Sequence, residues 1–333
     1  MSISQKDFIM AFLHIITDNI FPLLAFVLIG YLMDRKYRLD IASLTKLTFY
    51  IVLPCFIFYS IYCAKLDINL LNVFLFCCVQ MGILAAIGAV IGKMRGWPEG
   101  KTEAFKNGTM FSNNGNIGVA LIALIFTNAP FLVNGTAPYL AEASAAATMT
   151  LVQMNLFLNT VGLYQAGKGK LTPADTMRVI LHMPVIYTLI AVFTVKYIGF
   201  DMTATPLWPI FENCAAALVS IVMMTLGMQI HRSTISFSDT EAWLGVFIRL
   251  IGGPVIAFAL LTLWNTFGTG FSAVVCQTIL IMSSVPSAVN SVLYAVEFHN
   301  NEDFATELVM MSTFASAVTM TLVIFAARIL FPI

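Results

Sequence analysis

Apolar residues in this chain do not alternate with polar ones; they run on. Long apolar stretches occupy 11–33, 43–64, 70–93, 103–127, 139–164, 177–198, 206–230, 242–265, 270–297 and 304–331, separated by short segments carrying charge, Gly or Pro. A membrane-crossing helix needs about 20 mostly apolar residues, and all ten stretches reach that length. A transmembrane β-barrel is excluded, because its strands alternate over about ten residues. The pattern predicts an all-α polytopic membrane protein with ten transmembrane helices.

Composition rules out the soluble alternative. Hydrophobic residues make up 59% of the 333 and charged residues 10%, with a mean hydropathy of +0.88. A soluble domain carries about 25% charged residues. Seventeen basic residues balance seventeen acidic ones, so there is no basic footprint for nucleic acid. The six cysteines fall inside apolar runs without CxxC pairing and read as small hydrophobes. No cleavable leader is expected, as no basic n-region precedes a short apolar segment with a small-residue cleavage site. No metal motif, HExxH or nucleophile elbow occurs, so neither an enzyme nor a cofactor is expected.

The scarce charges orient the spans through the excess of Lys and Arg on cytoplasmic loops. With the N-terminus outside, inner loops receive Arg35, Lys36, Arg38, Lys93, Arg95, Lys101, Lys106, Lys168, Lys170, Arg178 and Arg232. The outer side receives Lys6, Lys65, Lys196 and Arg328. Both termini therefore face outward, in a multi-pass protein of the plasma (inner) membrane.

The most polar linker, 166–175, follows the fifth span. Five is odd, so the second group of five starts on the opposite side, which is the arithmetic of an inverted repeat. The expected units are 1–165 and 176–333. Internal echoes support the division: Pro22 and Pro184, Gly82 and Gly245, Gly88 and Gly252, at offsets of roughly 160 to 172 residues. Spans 4 and 9 are the most telling pair. The first is interrupted by the polar run 112–118, the second by 283–291. Paired interruptions in corresponding spans are the sequence mark of a transporter's binding site.

A polar break within an apolar span frees backbone groups that lipid cannot satisfy, at several kcal/mol each. Only a protein-lined or watery cavity tolerates it. Each break also creates half-helix ends, and the N-terminal ones suit an anion. In span 4, Asn113, Asn114 and Asn116 supply donors and acceptors, and Gly115 and Gly118 permit close backbone approach. In span 9, Pro286 suits the first turn of a new half-helix, capped by Ser283 or Ser284, with Ser287 beside it and Asn290 one turn on. Span 5 adds Gln153, Asn155 and Asn159, for binding or for gluing helices together. Arg249, deep in span 8, either pairs with a carboxylate or snorkels to the surface. Neither break holds Asp, Glu or His. A neutral, donor-rich crossing with no basic residue of its own favours an organic anion over a bare cation.

Several short motifs, in order, resemble the auxin efflux carrier family, which includes bacterial carboxylate permeases. They are the segment 44–58 with Leu53-Pro54, the spacing Asn113, Gly115, Gly118, the run Gln153, Met154, Asn155, then Leu226-Gly227, and Pro286 followed by 294–298. The chain departs from the family at Ala120 and Ser220, where prolines are common, and at Asn116, where an apolar or aromatic residue is usual. The resemblance implies a sodium/proton-antiporter-like fold whose broken helices 4 and 9 cross. Spans 1, 2, 6 and 7 would form a scaffold; spans 3–5 and 8–10 would form the moving transport unit. It also implies elevator-type transport of a small organic anion, a mono- or dicarboxylate of malate, malonate or auxin type, bound near Asn113 and Pro286. The partners expected are that anion and the lipid bilayer. A second copy docked through the scaffold and a coupling proton or sodium ion stay open. Two alternatives compete: a sodium-coupled organic anion symporter of the bile-acid type, using Asn116, Gln277 and carbonyls as a cation cage, and a membrane receptor that transports nothing.

Overall fold

A computed structural model of the chain describes residues 21–63, 70–128, 131–133, 135–168, 172, 174, 178, 181–182, 184–232, 237–267 and 270–333. Asp18, the start of the first predicted span and most of the linker 166–175 lie outside the described residues. Asn116 is described in its backbone only. The protein is all-helical. In chain order the helices are α1 (Phe21–Tyr37), α2 (Ile41–Cys63), α3 (Leu71–Arg95), α4 (Glu99–Met110), α5 (Val119–Phe126), α6 (Leu140–Phe157, prolonged to Gly167), α7 (Pro184–Ile198), α8 (Trp208–Arg232), α9 (Thr240–Phe267), α10 (Ala273–Ser283), α11 (Asn290–Glu297) and α12 (Glu302–Leu330). Among the described residues, α2, α3, α8, α9 and α12 are each long and apolar enough to cross a membrane.

Local chemistry sets the helix ends. Asp40, Asp239 and Ser272 begin α2, α9 and α10, each side chain accepting a backbone N–H of the first turn, as N-caps do. Gly96 ends α3 in the left-handed region at φ +64°, with the Trp97 N–H returning to the Gly92 carbonyl. Two helices carry a wide π-turn just before a proline: Thr48–Val52 before Pro54, and Ile248–Gly252 before Pro254. Proline lacks an N–H and its ring clashes with the carbonyl four residues back. The wider turn absorbs both defects.

Two groups of helices pack differently. Helix α8 lies along α1 and α2, and α7 packs on α2. Elsewhere α3 packs on α4 and α6, α10 on α6 and α12, and α9 on α12. The α1–α8 contact is the tightest. A Cβ at Gly30 would strike the Met224 carbonyl, and one at Gly227 would strike the Val27 carbonyl. Close approach through small residues is how helices associate without a hydrophobic drive between them.

Outward faces are apolar at helical spacing: Leu71, Leu75 and Val79 on α3, and Phe314, Val318 and Leu322 on α12. The inward face of α12 carries buried Thr306, Ser312, Thr313, Ser316 and Thr321. This is the amphipathicity of a soluble helix turned inside out, as lipid requires. One rim of the bundle gathers the basic ends. Lys168 pairs with Glu103 and Glu99, Lys101 with Glu241, and Trp97 Nε1 donates to Glu241. Asn300 donates to the carbonyls of Ala166 and Lys168. At the same rim, just beyond the apolar stretch 11–33, the Asp34 carboxylate is 1% exposed and accepts from Arg232 at 2.5 Å and from His231 at 2.7 Å.

Two predictions follow from this packing. Gly227→Ala should drive α1 and α8 apart and cost about 1–3 kcal/mol. Gly82→Ala, where a Cβ meets nothing within 4 Å, should be neutral; thermal midpoints in detergent compare the two. Hydrogen bonding from Arg232 holds the Asp34 carboxyl down at about 2, against an ordinary 3.8. A depressed carboxyl contributes stability that is full above about pH 4 and is lost as the pH falls toward 2. Arg232→Ala should leave that buried carboxylate with His231 alone, at a cost near the lower end of about 3–5 kcal/mol. The stability gap between variant and wild type should therefore narrow as the pH falls from about 4 toward 2, which unfolding measured at several pH values would show.

Candidate functional site

The two interruptions found in the sequence meet in space. Helix α4 stops at Met110, and Phe111 is extended. Helix α10 stops at Ser283, and Pro286 opens an extended stretch before α11. The two stretches run antiparallel, with Ser112 opposite Ser287. The Asn113 N–H donates to the Pro286 carbonyl at 2.8 Å, and the Ala288 N–H donates to the Phe111 carbonyl at 2.9 Å. Each break thus satisfies backbone groups released by the other. Ser287 locks the crossing: its Oγ donates to the Gly108 carbonyl at 2.7 Å, and its N–H donates to Ser312 Oγ on α12 at 3.2 Å.

The serines do not act as the sequence suggested. Ser283 Oγ and Ser284 Oγ donate back to the carbonyls of Leu280 and Ile281. They close the C-terminal end of α10. The next helix begins four residues after Pro286, at Asn290, with Val289 as an N-cap that has no side-chain hydrogen bond. The reason is local: hydroxyls on a terminal turn reach the carbonyls three residues back, and Pro286 stays extended because its carbonyl is committed to Asn113. The π-turn Asn114–Gly118 that leads into α5 also lacks a side-chain cap. Both second half-helices therefore start with N-terminal ends free of side-chain caps.

Two small chambers flank the crossing. The first, of about 30 Å³, is lined by Asn113, Asn114, Gly115, Asn155 and Asn290, with Phe56 of α2 and Leu218 of α8 closing it. It lies between the crossing and the α1–α2–α7–α8 group. Asn113 Nδ2 and Asn155 Nδ2 are buried there without a hydrogen-bond partner. Unpaired buried donors are uncommon and each costs about 1–3 kcal/mol. The second chamber, also about 30 Å³, lies on the far side, between α3, α6, α9 and α10. Gln80, Ser112, Asn114, Gln153, Arg249 and Ser283 bring its polar atoms.

Five predicted site residues, Asn113, Asn114, Gly115, Asn155 and Asn290, thus share the first chamber, while Gln153 faces the second. Gly118, Ser284, Pro286 and Ser287 line neither; they build the crossing. A Cβ at Gly118 would lie 2.8 Å from Met282 Sδ, so that glycine sets how closely α5 meets α10. Asn159 is a tie rather than a ligand: it accepts from the Tyr294 hydroxyl at 2.5 Å and donates to the Asn155 carbonyl. Gln277 sits midway along α10; its Nε2 donates to the Phe331 carbonyl, while its Oε1 is buried without a partner among the described residues. It lines neither chamber.

Among the described residues Arg249 pairs with no carboxylate, and it does not snorkel. It is 2% exposed. Its Nη1 donates to the carbonyls of Thr109 at 3.1 Å and Met110 at 3.4 Å, and its Nη2 donates to the Ser283 carbonyl at 2.5 Å. The crossing therefore has a cation beside it, contrary to the basic-free site read from the sequence. Gln80 was missed as well; its Nε2 donates to the Gly253 carbonyl at 3.0 Å. Each had a signal: one polar side chain within an apolar run, and for Arg249 a following Gly-Gly-Pro at 252–254. Intramembrane polar residues are functional by default.

These features define a polytopic helical membrane protein with a polar crossing inside it. No family model matches the chain. Over 318 residues it is 23% identical to a protein of Methanothermobacter thermautotrophicus named an uncharacterized transporter, covering 92% of this chain and 96% of that protein. Full-length likeness to a protein so named, together with the membrane-type helices, supports reading the chain as a transporter in general.

Proposed function

We propose that the chain is a secondary transporter of the auxin efflux carrier kind, not an enzyme, carrying a small mono- or dicarboxylate through the plasma membrane. The observation that carries this reading is the first chamber. Two buried, unpartnered amide donors, Asn113 Nδ2 and Asn155 Nδ2, stand where two half-helices begin without side-chain caps. Donors and helix N-termini together select a carboxylate or a similar oxyanion.

In this reading the ten apolar stretches are ten crossings in an inverted five-plus-five repeat. The helices α1, α2, α7 and α8 form the scaffold, and the rest form the moving unit. The separate packing of the two groups supports that division. The basic rim faces the cytoplasm, with both termini outside. A chamber of about 30 Å³ has room for a water or two, so substrate entry requires the moving unit to slide against the scaffold. A cleft of about 550 Å³ at the basic rim supports such a path. Asp40, Lys46 and Arg232 line one wall, and Glu297, Glu302 and Asp303 the other.

Counterflow in proteoliposomes, screened over mono- and dicarboxylates with and without sodium and a pH gradient, tests the reading. Asn113→Ala removes the amide donor but keeps the backbone bond to Pro286, so it should fold normally. A hydrogen bond to a charged group is worth about 1.5–3 kcal/mol, so binding should weaken roughly tenfold to hundredfold. Undiminished transport and ligand-induced stabilisation in this variant would remove the first chamber as the site. Saturable binding without counterflow would instead identify a receptor.

A further inference from the structure

The C-terminal ends of α4 and α10 converge on one point. An α-helix of this length ends in about half a negative charge and several carbonyls without intrahelical partners. Two such ends together attract a cation, and in transporters with broken helices a coupling sodium is commonly held by half-helix C-terminal ends and unwound carbonyls. The second chamber supplies the rest of a sodium-like environment: side-chain oxygens of Gln80, Ser112, Asn114 and Gln153, of the kind that coordinate hard cations. In this chain the guanidinium of Arg249 sits at that point and bonds both ends, through Thr109 and Met110 on one side and Ser283 on the other.

We propose that Arg249 is a tethered counter-cation: its guanidinium holds the place at the crossing where a coupling sodium would bind, so the protein works without sodium. The fold is shaped to put it there. The π-turn before Pro254 redirects the residues of that turn, Arg249 among them. Gly253 lets α9 approach so closely that a Cβ would lie 3.1 Å from the Ser283 carbonyl. Gln80 holds the Gly253 carbonyl in turn. Among the described residues, the hydrogen-bond partners of the guanidinium are backbone carbonyls of the two helix ends, and its Nε is left buried without a partner. A sodium ion entering the same chamber would meet that fixed positive charge.

The word coupling rests on the transport reading above, but the test does not need it. The purified full-length protein is melted in detergent with sodium, potassium or choline chloride at equal ionic strength. Wild type should melt at one temperature in all three. Arg249→Ala should melt lower and should regain several degrees, saturably, in low-millimolar guanidinium chloride; choline or tetramethylammonium should restore nothing. Should the alanine variant fail to fold, Arg249→Lys and Arg249→Gln separate charge from shape, with the lysine variant the more stable. Saturable stabilisation of wild type by sodium overturns the proposal. So does indifference of the alanine variant to guanidinium, or a lysine variant no better than glutamine. A failed counterflow screen with these melting results intact would remove the transport reading and leave the tethered cation standing.

Discussion

Lipid offers no hydrogen bonds, and the rest of this structure depends on how that constraint is met where two helices break. A break releases backbone N–H and C=O groups that cost several kcal/mol each if left bare. Here the released groups find three kinds of partner. The extended stretches bond each other through Asn113, Pro286, Phe111 and Ala288. Side chains on neighbouring elements take more, as Ser287 does for Gly108. Arg249 takes the carbonyl ends. Among the described residues, what remains over at the crossing includes the amide donors of Asn113 and Asn155, which line the first chamber, and the Nε of Arg249. A site made this way is the residue of an accounting problem, located where backbone and side chains run out of internal partners.

The crossing also dictates where glycine and proline stand. Two backbones can meet antiparallel inside a bundle only if the helices around them come close. A Cβ at Gly108 or Gly245 would press on the Leu308 side chain, and one at Gly118 on Met282. These glycines bring α4, α9 and α5 against their neighbours around the crossing. Pro254 forces the π-turn that contains Arg249. At α1 and α8, far from the crossing in sequence, Gly30 and Gly227 do a related job: they lock two helices into one rigid pair. The group that packs through bare backbone here closes the first chamber through Phe56 and Leu218.

Much of this was legible in the chain itself because membrane solvent enforces simple rules. Helical apolar runs, the polar runs at 112–118 and 283–291, and the gathering of basic residues at the ends of particular helices all follow from local composition. Of the site residues, Asn113, Asn114, Gly115, Asn155 and Asn290 share one chamber because the crossing brings their segments together. The sequence reading misplaced what depends on partners far away in the chain. Ser284 looked like an N-cap because it precedes a proline; its actual partner is the carbonyl of Ile281, three residues back. Arg249 looked like a carboxylate's partner or a surface-seeking cation because its actual partners, Thr109 and Ser283, lie 140 and 34 residues away. Backbone carbonyls leave no trace in residue identity, so a cation satisfied by helix ends is invisible until those ends are placed.

Placing Arg249 also changes the electrostatics of the proposed site. Before it is counted, each broken helix pair has two negative ends and two positive ends close together, and their fields largely cancel. A guanidinium between the negative ends neutralises about one unit of negative partial charge. The ends that begin at Asn114 and Asn290 are then left uncompensated, next to the unpartnered amides. The first chamber becomes net positive without containing a basic residue. A site of that kind holds one negative charge and releases it readily, because no direct ion pair has to be broken when the anion leaves. In the proposed mechanism the same tethered charge would travel with the moving unit, so the compensation it supplies would not depend on a second solute binding first.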